Sequence, residues 1–163
     1  MKLSRIHFLF PLLLSAMFVM FCQVSYAQTL PAKVKNYLEK NYSGWKMSGN
    51  DRICSETKRF VATGDFNGDK KTDYAVKFVK GRTGYILAFV FQKTDYKAHV
   101  LESAPASEMK STILDVERKG KKYPIGGDFP DSIYGKLPND APYTIACQSD
   151  AVMFYVYKNG RFQ

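Results

Sequence analysis

Histidine, cysteine and acid are all scarce in this chain, and each shortage removes a class of chemistry. The only histidines are His7 and His99, and His7 falls in the apolar leader described below, so one imidazole is left for proton transfer. His99 lies between Ala98 and Val100 in a strand-like stretch, a half-buried structural position, and no Ser, Cys or Asp is tied to it by a nucleophile motif. Asp128 and Asp131 are paired carboxylates of the kind that loops commonly carry, without the setting of a general acid and base. The chain is therefore read as a non-enzyme. Three cysteines, Cys22, Cys54 and Cys147, are too few and too widely spaced for a zinc site. Acid is outnumbered, with 15 Asp and Glu against 24 Lys and Arg and a formal net charge of +9.

Long apolar runs are also missing but for one. Phe8 to Phe21 follows Lys2 and Arg5, precedes Ser25-Tyr26-Ala27, and falls short of the roughly 20 residues that cross a bilayer. This is the pattern of a secretory signal peptide cleaved after Ala27, leaving residues 28–163 as a single domain with no transmembrane segment. Met20-Phe21 ahead of Cys22 lacks the small residues of a lipoprotein signal. The expected location is periplasmic or secreted, where Cys54 and Cys147 pair as a disulfide that stabilises the fold by about 4–5 kcal/mol in the chain-entropy picture. Cleavage removes Lys2 and Arg5 and no acid, so the product stays basic, with its excess in Arg118 to Lys122 and in Lys33, Lys35 and Lys40. Outside the cytoplasm the matching anions are an acidic glycan, the envelope surface or an acidic protein, and not nucleic acid.

Leu30, Val34, Leu38 and Tyr42 recur at the helical period, with Pro31 suited to the first turn and Gly44 to the position past the end. Arg59 to Thr63, Tyr74 to Lys80 and Tyr85 to Gln92 read as strands, the last so apolar that both of its faces must be covered. The helix is the expected cover for one face. Tyr96 to Leu101, Thr112 to Arg118, Tyr143 to Gln148 and Ala151 to Tyr157 add strands, and Asn159-Gly160 signals a final hairpin. Glu102 to Lys110 reads as an irregular or short helical connection, and Tyr123 to Asn139, rich in Gly and Pro, as a long loop. The expected fold class is α+β, with an N-terminal amphipathic helix packed on a twisted, mostly antiparallel sheet closed by one disulfide.

Gly64 to Val76 is where the chain spells out chemistry. Asp65, Asn67, Asp69 and Asp73 place oxygen-bearing side chains at alternate positions, with a skip at Lys71 where a backbone carbonyl stands in. Calcium takes about 6–8 oxygens, and a divalent ion offsets the repulsion of closely spaced carboxylates. The stretch resembles the calcium-binding loop of the FG-GAP and VCBS repeat families, Asp-x-Asn-x-Asp-Gly-x-x-Asp before an apolar strand. The resemblance implies Ca2+ as ligand, held by Asp65, Asn67, Asp69, the carbonyl of Lys71 and Asp73. It covers these 13 residues only. Lys70 stands where those families carry a Gly that permits a left-handed backbone, a difference costing about 1 kcal/mol. Val76 in place of a bidentate Glu excludes an EF-hand, and a single copy of the motif excludes a propeller.

Two readings of function follow. One is a calcium-stabilised envelope or secreted module that binds through its aromatic and basic surface, including Tyr123, Phe129, Tyr134 and Lys119 to Lys122. The other is a secreted enzyme inhibitor acting through the Gly- and Pro-rich loop 124–138.

Overall fold

The computed structural model describes residues 30–48, 60–126, 133–147, 149 and 151–163. The leader, Cys22, Cys54, Asp128, Phe129 and Asp131 lie outside the described residues, and with them the signal peptide and one half of the expected bridge. In chain order the elements are α1 (Ala32–Asn41), β1 (Lys46–Met47), β2 (Val61–Gly64), β3 (Asp73–Lys80), β4 (Thr83–Gln92), β5 (Asp95–Pro105), α2 (Ala106–Lys110), β6 (Thr112–Glu117), β7 (Lys122–Gly126), β8 (Ile133–Lys136), β9 (Ala141–Ala146), β10 (Ala151–Phe154), β11 (Tyr157–Lys158) and β12 (Arg161–Phe162).

The first sheet runs β1-β3-β4-β5 and is antiparallel throughout. β2 shares an edge of β3 with β1, pairing Gly64 to Val61 with Asp73 to Val76 while β1 pairs with Phe78 and Val79. Period-2 alternation sorts β3 cleanly. Val76 and Phe78 face α1 in one core, and Ala75 faces the opposite way into a second. α1 covers the first face because Val34 and Leu38, one turn apart, are both fully buried, while Lys33, Lys35 and Lys40 stay in water. Tyr42, Trp45 and Tyr85 close the end of this core with edge-to-face and stacked contacts around Phe78. The second face is covered by Met109 of α2, Leu114 and Val116 of β6 and Phe162 of β12. β4 is therefore buried on both sides, as its composition requires.

Across that second core lies another antiparallel sheet, β10-β9-β6, and two ribbons, β7-β8 and β11-β12, complete the structure. The expected α+β class is corrected by this arrangement. Strand makes up 55% of the described residues and helix 13%, in two short helices, so the fold is mostly β. The longer helix does not open the chain but begins at Ala32. Pro31 is its N-cap, with an extended backbone and a carbonyl that accepts the Lys35 amide at 3.0 Å, instead of sitting inside the first turn. The single expected sheet is two sheets, because β6 pairs with β9 and not with its neighbours in sequence. No disulfide joins two described residues. Cys147 is disulfide-bonded, but Cys54 lies outside the described residues, so the expected bridge is no part of the described fold. The long loop Tyr123 to Asn139 is corrected too, since β7 and β8 pair within it with a bulge near Ile125.

Lys77 is a charged residue buried between the sheets. It is fully buried on the face of β3 that meets the second core, and its ammonium donates to the carbonyls of Met109, near the end of α2, and Thr112, at the start of β6. Close by, the Tyr155 hydroxyl donates to Glu102 at 2.7 Å and meets Thr144 at 3.3 Å. One buried cation thus ties the strand that leaves the Asp-rich loop to the elements that begin the second sheet.

Candidate functional site

The Asp-rich loop joins β2 to β3, two strands paired up to Gly64 and Asp73, so its ends are fixed by the sheet. Within it the alternate oxygens turn back onto the loop's own amides. Asp65 accepts from Gly68 N at 2.7 Å through Oδ1 and from Lys70 N at 2.9 Å through Oδ2. Asn67 Oδ1 accepts from Asp69 N at 3.0 Å, and Asp69 Oδ1 from Lys71 N at 2.8 Å. These are Asx turns, the local reason for the spacing of Asp and Asn. Lys71 also lays its ammonium 4.3 Å from the centre of the Phe91 ring.

Asp73 has a different place. It is fully buried and clamps two segments, accepting from Phe66 N and Phe91 N at 2.7 Å each through separate oxygens. Burial pushes its carboxyl up to about 6, against the opposing pull of the Phe91 and Phe66 amides. Asn67 Nδ2 adds a bond to the Phe91 carbonyl at 3.0 Å, so the loop is anchored twice to the end of β4. Phe66, fully buried, holds it from beneath in the second core, edge-on to Phe162.

The structure brings Asp65, Asn67, Asp69, Lys71 and Asp73 into one loop. It adds Arg118, Asn139 and Asp140, which the sequence pattern does not single out. Asp140 accepts from Arg118 Nη1 at 2.7 Å, from Lys119 N at 3.0 Å and from Asp65 N at 3.2 Å. Burial works against its charge, but the Lys119 amide and the Arg118 guanidinium outweigh it and hold the carboxyl below the usual range. Asn139 donates to the Phe66 carbonyl at 3.3 Å and packs so close that a Cβ at Gly68 would come within 2.7 Å of its side-chain oxygen. Gly68 is favoured by its φ of 82°, and any Cβ there would also displace the Asn139 side chain. The available signal was Pro138-Asn139-Asp140, a turn composition directly ahead of a strand, but nothing local says which loop it meets.

Between the two loops opens a shallow cleft of about 260 Å³, lined by Thr63, Gly64, Asp65, Lys70, Lys71, Thr72, Arg118 and Asp140. Lys70 adopts φ 65°, the left-handed backbone that a glycine would take without cost. Among the described residues no group of three or more His, Cys, Asp or Glu side chains stands at metal-holding spacing. The Asn67 amide oxygen and backbone carbonyls are further oxygens in the loop, and each carboxylate oxygen bonded to one amide keeps a second lone pair. His99 is not on the lining of the cleft; its Nε2 is buried and unbonded, and its ring stands edge-on to Tyr157 and Phe162 at 5.6 and 5.5 Å. Burial, aided by Lys97, lowers its pKa and favours the neutral ring. No helix among the described residues is long and apolar enough to cross a membrane. No protein-family model, no curated protein and no solved structure matches this chain.

Proposed function

We propose that this protein is an exported, non-catalytic binding module of the cell envelope or the secreted fraction, in which the Gly64 to Asp73 loop takes calcium as a structural ion. Asp65, Asn67, Asp69, the carbonyl of Lys71 and Asp73 would hold it. The observation that carries the reading is the clamp on the loop: Asp73 from within and Asp140 from across the cleft fix its shape through five hydrogen bonds to amides and a guanidinium. Because amides already satisfy most of the oxygens once, calcium would add to a formed loop and would not be the agent that folds it. The stabilisation would then follow ordinary ligand linkage, about 2.7 kcal/mol at a calcium concentration 100 times Kd. The partner class that suits the basic surface is an acidic glycan, an envelope surface or an acidic protein.

The test is calorimetry with calcium on chelator-stripped protein, beside Asp69→Ala. Asp69 is the informative position because its side chain holds only the loop's own Lys71 amide, so its loss leaves the Asp73 clamp intact. A one-site isotherm that disappears in the variant, with a calcium-dependent rise in Tm, supports the reading. Absence of heat and of any shift makes the loop a polar turn. One observation favours the inhibitor reading: the β7-β8 ribbon exposes Ile125, Ile133 and Tyr134 at 56–60% of their surface, an apolar element of the kind that enters a partner's groove. Shortening loop 124–138 with the fold intact, followed by an assay of inhibition, separates the two.

A further inference from the structure

We infer that the cleft between the Asp-rich loop and the Asn139-Asp140 turn is a binding site for a single oxyanion group, a carboxylate or a sulfate, with Lys70 as its principal contact. The inference deepens the binding-module reading and rests on it for the nature of the partner, though not on calcium.

The lining carries three cations, Lys70, Lys71 and Arg118, against two carboxylates, Asp65 and Asp140. Both carboxylates are committed. Asp65 has an amide on each oxygen, and Asp140 holds Arg118 and two amides. Of the cations, Arg118 is bound to Asp140 and Lys71 lies over Phe91. Neither Lys70 nor Lys71 makes an ion pair among the described residues, and Lys70 has no ring contact either. What the cleft has left to offer is an ammonium, with Thr63 and Thr72 also on the lining. A donor-rich lining with an excess of positive charge is complementary to an oxyanion acceptor.

The backbone supplies the second observation. Lys70 occupies φ 65°, where a side chain is disfavoured and glycine is free. Strain of this kind persists where the surrounding structure over-determines it, here through the Lys70 amide held on Asp65, and such positions cluster at binding sites. At that position Lys70 puts an ammonium-bearing side chain on the lining of the cleft, and glycine has none to give.

The experiment titrates the protein with sodium glucuronate and, separately, with sodium sulfate, following backbone amide NMR signals, and repeats both with Lys70→Gln and Lys70→Gly. The expected result is saturable shifts confined to residues 63–72, Arg118, Lys119, Asn139 and Asp140, weakened about tenfold by loss of the charge in Lys70→Gln. Lys70→Gly is expected to melt at or a few degrees above the parent while binding no better than Lys70→Gln, because removing the side chain relieves the backbone and deletes the contact. Tighter binding of glucuronate assigns a carboxylated sugar, and equal binding of sulfate assigns oxyanion charge as such. Absence of saturable shifts at the cleft, or equal affinity in Lys70→Gln, overturns the inference. Capture on immobilised polygalacturonate distinguishes the two levels. Equal capture of parent and Lys70→Gln keeps the module reading and removes the cleft from it, whereas glucuronate binding at the cleft without capture keeps the cleft and removes the acidic glycan.

Discussion

At the scale of single residues, the two buried ionisable groups of β3, Asp73 and Lys77, are of opposite charge. Asp73 is placed where amides can satisfy it, and Lys77 where carbonyls can, so each is buried against donors or acceptors of the right sense. Burial still lowers the Lys77 pKa from 10.5 to about 8, opposed by Glu102. A folded value below the unfolded one means that between about pH 8 and 10.5 the unfolded chain holds a proton that the folded chain has released. The stability linked to Lys77 is therefore fully present above the unfolded value and is lost as pH falls through about 8. Urea unfolding of the parent and of Lys77→Met should show a stability difference that moves in the parent's favour by about 3 kcal/mol between pH 7.5 and 10.5, at 1.36 kcal/mol per unit. A difference independent of pH would mean that Lys77 is already neutral or is hydrated in the fold.

Part of the loop is legible at this scale because its chemistry is local. The sequence shows the spacing of Asp and Asn and reads it as a set of calcium ligands; the bonds from these side chains to amides two to five residues away are seen only in the structure. Arg118 and Asp140 are not legible, since nothing near them in the chain says that they meet Asp65, which is 75 residues from Asp140.

Among the elements, α2 shows how a short piece is held by its seat. A five-residue helix has no stability of its own, so contact with β4 and β6 must define it. Met109 is fully buried and lies directly over Gly84 of β4, so close that a Cβ there would overlap its side chain. Gly84→Ala should cost about 2 kcal/mol through overpacking, and Gly84→Val more. Thermal unfolding measures this, and a neutral alanine would show that α2 can ride outward freely. The sequence signal at this place was ambiguous, because a connection of this length has no periodicity to read. The ribbon β7-β8 was hidden for a related reason: Pro124, Gly126 and Gly135 carry the composition of a loop, and only the pairing of Pro124 with Tyr134 and of Lys122 with Lys136 makes them strands.

For the whole molecule, the first sheet is a wall between two cores. Leu38 belongs to the core under α1 and Leu114 to the core under β6, and each is fully buried. Leu38→Ala and Leu114→Ala should each cost about 3 kcal/mol and, sharing no partner, should add within about 0.5 kcal/mol in the double variant. Denaturant titration checks it. A cost well short of additive would show that loosening one core has already loosened the other.

Features that depend on neighbours along the chain could be read from the residues alone: the amphipathic α1, the doubly covered β4 and the final Asn-Gly turn. Helical period, apolar runs and turn composition act over a few residues. Long-range pairing settled the rest, namely that the fold is mostly β, that β6 crosses to β9 to form a second sheet, and that Asp140 and Arg118 close a cleft over the loop. Those outcomes depend on which edges pair and which loops meet across a core, and no local pattern carries that information.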